Sequence, residues 1–349
     1  MTFFSRRSRA VAGISILAVL IAVGGAATAA LAVSTSWSAP ADLSAAGQNA
    51  FAPQVTVDGS GLATAVWVRS DGSNTIVQAS TSLNGAAWST PAYLSAAGQN
   101  AFVPQVTVDG SGLATAVWYR SDGSNNIVQA STSLNGAPWS TPADLSAAGQ
   151  NAFAPQVTVD GSGLATAVWD RSDGSNFIVQ ASTSLNGAPW STPADLSVAG
   201  QNASVPQVTV DGSGLATAVW YRYDGSNNIV QASTSLNGAP WSTPANLSVA
   251  GQDAFVPQVT VDGSGLATAV WYGSDGSNDI VQASFFDSRV PIAHPVLAAT
   301  GVDTATVALT SIFALLAMFT GIGMIRIRRR QATPTMVMAS QQRQHGRKH

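Results

Sequence analysis

The chain contains no cysteine, no glutamate and a single lysine, Lys348, among its 349 residues. Without cysteine there is no disulfide framework, no thiolate metal site and no thiol nucleophile. Its three histidines, His294, His345 and His349, all lie near the C-terminus, so the long central region cannot assemble a Ser-His-Asp triad or an imidazole zinc site. The missing glutamate leaves all carboxylate chemistry to eighteen Asp. Between Val33 and Thr300 five Arg stand against seventeen Asp, a balance unsuited to neutralising phosphates, so no nucleic-acid partner is expected. One carboxylate per turn is too few for a calcium cage, and neither metal nor cofactor is expected.

The ends carry the positive charge. Arg6, Arg7 and Arg9 precede an apolar run and the small-residue site Ala30, Leu31, Ala32, the pattern of a secretion signal over residues 1–32, either cleaved before Val33 or kept as an anchor. Residues 304–325 carry no charge, enough to cross a hydrocarbon core of about 30 Å as a helix. A linker, 286–303, precedes that span, and Arg326, Arg328, Arg329 and Arg330 open a basic tail, 326–349. By the positive-inside rule the tail is cytoplasmic, and the chain is expected to be a single-pass protein of the cell membrane with its central domain outside.

That central domain, 33–285, is periodic. Trp37, Trp88, Trp139, Trp190 and Trp241 are 51 residues apart, as are Trp67, Trp118, Trp169, Trp220 and Trp271. Two consecutive units differ only at Tyr93/Asp144, Val103/Ala154, Tyr119/Asp170 and Asn126/Phe177. Each unit reads as four short strands, PQVTVD, GLATAVWYR, NIVQASTS and PWSTPADLS, joined at Asp109-Gly110, Asp122-Gly123 and Asn135-Gly136, dipeptides suited to tight hairpins. The fold class expected is all-β: a five-bladed β-propeller of four-stranded antiparallel blades, with the isolated N-terminal strand Trp37 to Ser44 completing the last blade and closing the ring. An open stack of the same blades is the alternative.

The turn STSLNGAPW, Ser131 to Trp139, resembles the Asp-box of sialidase-type (BNR) propellers, with Asn135 in place of Asp and one residue fewer before Gly136. In that family the box is a folding element away from the active site. The sialidase mechanism, which pairs a Tyr nucleophile with a Glu, has no counterpart here. Five blades of about fifty residues are also similar to tachylectin-type lectins, which bind one sugar per blade.

Differences between repeats single out one face. Val68, Tyr119, Asp170, Tyr221 and Tyr272 follow the second-strand tryptophan, and Thr75, Asn126, Phe177, Asn228 and Asp279 lie across the same hairpin. Ala52, Val103, Ala154, Val205 and Val256, with Ser204 in place of Phe, are assigned to the connection between blades. The candidate ligand-binding residues are Arg69, Tyr119, Arg120, Asp170, Arg171, Phe177, Tyr221, Arg222 and Tyr272, rings and donors suited to sugars or peptides. On this reading the chain is a non-enzymatic, multivalent surface module for glycans or envelope polymers; the alternatives are a protein-interaction scaffold and a two-Asp glycosidase. Catalysis is not expected because the turn aspartates Asp58, Asp109, Asp160, Asp211 and Asp262 sit in identical segments, whereas acid and base roles need carboxyls in unlike environments.

Overall fold

A computed structural model describes residues 37–288, all within one compact unit, Met1–Ile292. The secretion signal, the membrane span and the basic tail expected from the sequence lie outside the described residues. Among the described residues no helix is long and apolar enough to cross a membrane.

The described chain is all-β and forms five antiparallel sheets, four of four strands and one of three, consistent with the blades of a five-bladed propeller. Sheet 1 holds β1 (Ala50–Val57), β2 (Leu62–Ser70), β3 (Thr75–Leu83) and β4 (Ala92–Tyr93). Sheet 2 holds β5 (Ala101–Val108), β6 (Leu113–Ser121), β7 (Asn126–Leu134) and β8 (Ala143–Asp144). Sheet 3 holds β9 (Ala152–Val159), β10 (Leu164–Ser172), β11 (Phe177–Leu185) and β12 (Ala194–Asp195). Sheet 4 holds β13 (Ala203–Val210), β14 (Leu215–Tyr223), β15 (Asn228–Leu236) and β16 (Ala245–Asn246), and sheet 5 holds β17 (Ala254–Val261), β18 (Leu266–Ser274) and β19 (Asp279–Asp287).

The first turn of each unit is built by its aspartate. Asp109 Oδ1 accepts from the Ser111 N–H, the Ser111 hydroxyl and the Leu113 N–H at 2.7–2.9 Å. The third turn carries Asn135 at φ 49°, a left-handed conformation that Asn tolerates, and its N–H donates to the Gly112 carbonyl at 2.9 Å. First and third turns therefore meet at one end of the sheet. At the other end the second turn meets the connection to the next sheet: the Phe177 N–H donates to Asn202 Oδ1 at 2.9 Å. The loops thus divide between the two ends of the sheet, first and third turns at one and second turn and connection at the other.

Period two puts alternate residues of β2, β6, β10, β14 and β18 on opposite faces, and each face meets a neighbour. Val117, Val128 and Ala130 of sheet 2 pack on Ala152, Ala167 and Trp169 of sheet 3, and the same set recurs at the other junctions. Trp118, Trp169 and Trp220 are completely buried, so the second-strand tryptophans are core. Burying such rings is the largest apolar contribution that each repeat can make.

Three features differ from the expectation. First, the inner strands begin earlier, at Ala50 and its equivalents, so Ala52, Val103, Ala154, Val205, Val256 and Ser204 lie in strands and not in connections. Each inner strand bulges there: Phe102 pairs with Tyr119 and Gln105 with Val117, leaving two residues opposite one, and Val103 takes φ 52°. Secondly, the fourth strands shrink to two residues. The Thr132 N–H is taken by the Ser140 hydroxyl at 3.0 Å, and Pro142, which lacks an N–H, stands just before β8. Thirdly, the latch is not formed. Residues 37–43 carry no strand, Trp37 is 100% exposed, and sheet 5 ends at three strands. A fourth strand pairing through two residues offers little to offset the entropy of bringing the two ends of the array together.

Candidate active site

The bulge and the end of the second strand bring together the positions at which repeats differ. At the junction of sheets 2 and 3, Tyr119 meets Phe153 edge to face with centroids 5.3 Å apart; at the junction of sheets 4 and 5, Tyr221 meets Phe255 at 5.7 Å. Within their sheets Phe102–Tyr119 and Phe255–Tyr272 extend the rows at 5.6 and 5.5 Å. Between sheets 3 and 4 the row is broken. The position of Tyr119 is taken by Asp170, and that of Phe153 by Ser204.

Beside this break lies a cleft of about 680 Å³, lined by Ser172, Ser175, Asn176, Phe177, Asn202, Ser204, Tyr221, Tyr223 and Asn228. Phe177 is held at its edge against Phe153 at 5.9 Å. Tyr223, where the other four repeats have Ser, is anchored through its hydroxyl to the Gly225 carbonyl at 2.8 Å. Asp170, Ser204, Phe177 and Tyr223 are each unlike their four counterparts; Ser204, Phe177 and Tyr223 line the cleft, and Asp170 lies behind Ser204.

Asp170 is 6% exposed, and its Oδ1 has no hydrogen-bond partner. Burial pushes its carboxyl from 3.8 up to about 6, with the Ser204 side chain and the Val205 and Phe153 backbone pulling the other way. The β-bulge supplies that Val205 contact by turning the strand at a residue with φ 54°. Tyr221 is raised as well, by burial first and then by the Asp170 charge, with Ser204 opposing. Asp170, Ser204 and Tyr221 thus form one electrostatic cluster spanning two sheets. By contrast Asp173, in the turn beside the cleft, is held low by the N–H groups of Asn176 and Ser175, as Asp71, Asp122, Asp224 and Asp275 are in their turns.

Of the residues singled out from sequence, Tyr221 and Phe177 line the cleft, and Asp170 stands behind it against Ser204 and Tyr221. Tyr119 and Tyr272 sit in the ring rows on either side: Tyr119 is held between Phe102 and Phe153, whereas Tyr272 ends its row and is 40% exposed. Arg69, Arg120, Arg171 and Arg222 stand at the ends of the second strands, each with a buried Nε that has no partner. Ser204 and Tyr223 were missed as site residues, although each departs from four identical counterparts. Among the described residues no group of His, Cys, Asp or Glu is arranged to hold a metal ion.

No family model matches the sequence, and no curated protein does. Solved structures do. A protein of unknown function from Dyadobacter fermentans is 11% identical, with 69% of this chain and 80% of that one covered at a TM-score of 0.51. An α-L-arabinanase from Penicillium chrysogenum complexed with arabinobiose is 12% identical over 65% of this chain and 78% of that one, TM-score 0.47. A GH93 α-L-arabinofuranosidase from Fusarium graminearum, also with arabinobiose, is 13% identical over 68% and 77%, TM-score 0.45. At these identities the likeness is one of fold.

The expectation of a non-enzymatic binding or adhesion module is corrected. The uniformity of the turn aspartates does not extend to Asp170, which is not one of them: it is buried and its carboxyl is raised, whereas Asp122 and Asp173 are held low by turn N–H groups.

Proposed function

We propose that the chain is a carbohydrate-active enzyme that cleaves a glycosidic bond in the cleft between sheets 3 and 4. The observation that carries this reading is the pairing of Ser204, which lines that cleft, with Asp170 behind it, a buried carboxyl raised to about 6. A carboxyl raised in this way keeps its proton where an ordinary aspartate has lost it, which is the requirement for a general acid. The lining supports a sugar: Phe177, Tyr221 and Tyr223 offer ring faces and edges, while Ser172, Asn176 and Asn228 offer hydroxyl and amide groups. The arabinose-cleaving neighbours are in keeping with that substrate class.

In the step we envisage, Ser204 Oγ gives its proton to the leaving glycosidic oxygen as it takes the proton of Asp170, and the bond to the anomeric carbon breaks. Water adds to that carbon and returns its proton through Ser204 to the Asp170 carboxylate, so the enzyme is regenerated. The exported, membrane-anchored placement read from residues 1–32 and 304–325 is part of this proposal and would give the cleft access to extracellular polymers.

Release of reducing ends from a panel of plant and microbial polysaccharides tests it, comparing wild type with Asp170→Asn. Turnover that falls at least about a hundredfold in the variant, a typical general-acid contribution, is the expected result. Equal rates, or no turnover on any polymer, would overturn it.

A further inference from the structure

Each inner junction joins two unlike faces, and both are left uncovered at the ends of the array. Val219 and Val230 of sheet 4 are fully buried against sheet 5, yet their equivalents Val270 and Val281 on the outer face of sheet 5 are 36% and 80% exposed. At the other end Ala50 is exposed and Val55 is 64% exposed, whereas Ala101 and Ala152, the equivalents of Ala50, are completely buried. The two open faces are therefore the two halves of an interface that the chain already builds four times.

The missing fourth strand points the same way. In sheets 2 and 3 a glutamine reaches the fourth strand, Gln129 Nε2 donating to Asp144 Oδ1 and Gln180 Nε2 to Asp195 Oδ1, both at 2.7 Å. Sheet 5 has no such partner, and Gln282 instead accepts from the Trp271 indole N–H at 2.8 Å. The sequence that would supply the partner lies at the opposite end: WSAPADLS at 37–44 repeats WSTPADLS at 139–146, with Asp42 at the place of Asp144. It leads directly into β1, as the inner fourth strands lead into the next sheet.

We propose that sheet 5 of one molecule is completed by segment 37–44 and sheet 1 of a second copy, giving head-to-tail assembly. The contact is heterologous, so repetition builds a ring of molecules or an open filament. The second copy is the occupant because this chain's own Trp37 stands fully exposed and its own sheets 1 and 5 leave these faces uncovered. On docking, Asp42 takes the Gln282 amide and Trp271 loses its partner, reproducing the arrangement around Gln129.

The absence of cysteine makes the test clean. Full-length Asp42→Cys and full-length Gln282→Cys, purified separately in detergent, are mixed and oxidised. Cross-strand neighbours approach within about 5 Å, close enough for a disulfide, and a mixed disulfide dimer on a non-reducing gel is the expected product. In parallel, sedimentation of the wild type should show mass rising with concentration, and Val281→Asp should reduce it to the monomer. A wild type that stays monomeric at every concentration, or mixed variants that give no disulfide dimer while the Asp42→Cys/Gln282→Cys double variant forms an internal bond, would overturn the proposal; the second result would mean that the chain closes on itself.

Discussion

Asp170 faces Ser204 across the junction of sheets 3 and 4, at the two positions where the junctions on either side hold Tyr119 against Phe153 and Tyr221 against Phe255. Where those junctions hold a ring contact, this one holds a carboxyl–hydroxyl contact beside the cleft.

Restoring the rings should close it. The double variant Asp170→Tyr/Ser204→Phe is expected to be more stable than the wild type by roughly 1–3 kcal/mol, from an aromatic pair and removal of a buried carboxyl. Ser204→Phe alone should destabilise, since it crowds Asp170 and removes its hydroxyl partner. Urea denaturation of the two single variants and the double gives the coupling; additive effects would mean that the two residues act independently.

Stability should depend on pH through Asp170 in a defined direction. Its carboxyl is raised from 3.8 to about 6, so between these values the folded state holds a proton that the unfolded state has released. That contribution is complete below about pH 4 and is lost as pH rises through 6, a difference of about 3 kcal/mol. Asp170→Asn removes it. The stability of the variant relative to wild type should therefore grow between pH 4 and pH 6.5 and be level above that; a constant difference across the range would contradict the raised carboxyl.

Most of the architecture is written in the 51-residue period: Asp-Gly and Asn-Gly set the turns, alternation sets the faces, and Trp118 and its equivalents mark the core. Other parts were not legible for identifiable reasons. A bulge places two residues opposite one, and alternation carries no sign of it, so the sequence pattern alone assigns Val103 and Ser204 to connections. A fourth strand whose ladder bond is taken by the Ser140 hydroxyl looks, as sequence, like any Thr- and Trp-rich strand. The site itself was half visible. Asp170 and Phe177 stood out as departures from the repeat, but their coupling to Ser204 and Tyr223 depends on contact between sheets across 34 and 46 positions, which a comparison made one position at a time does not show.

Strain at the bulge gives an unusual expectation. Val103, a β-branched residue, sits at φ 52°, in a region costing of order 1–3 kcal/mol for such a side chain. Val103→Gly should be neutral or stabilising in thermal unfolding, although Val to Gly in a strand ordinarily destabilises. A loss above about 1 kcal/mol would show that packing of the valine outweighs its backbone cost.

The ends of the sheets depend on a close approach of two turns. Gly163 has φ 85°, and a Cβ there would collide with the Asn186 side-chain oxygen and approach Asp109 Oδ2 at 3.3 Å. Gly163→Ala should destabilise by roughly 2–4 kcal/mol, combining backbone strain with displacement of Asn186. Gly161, with nothing near its Cβ position, is the control, and Gly161→Ala should change the midpoint little.

Asp170 differs from the turn aspartates in being buried with a raised carboxyl. Titration of carboxyl carbons by NMR in protein labelled at Asp, with Asp170→Asn used to assign the resonance, measures that directly. The predicted result is a single carboxyl with its midpoint near 6, standing apart from turn aspartates such as Asp122 and Asp173 that titrate below 3.8. An Asp170 midpoint among those of the turn aspartates would contradict the proposed acid and with it the cleft as a catalytic centre.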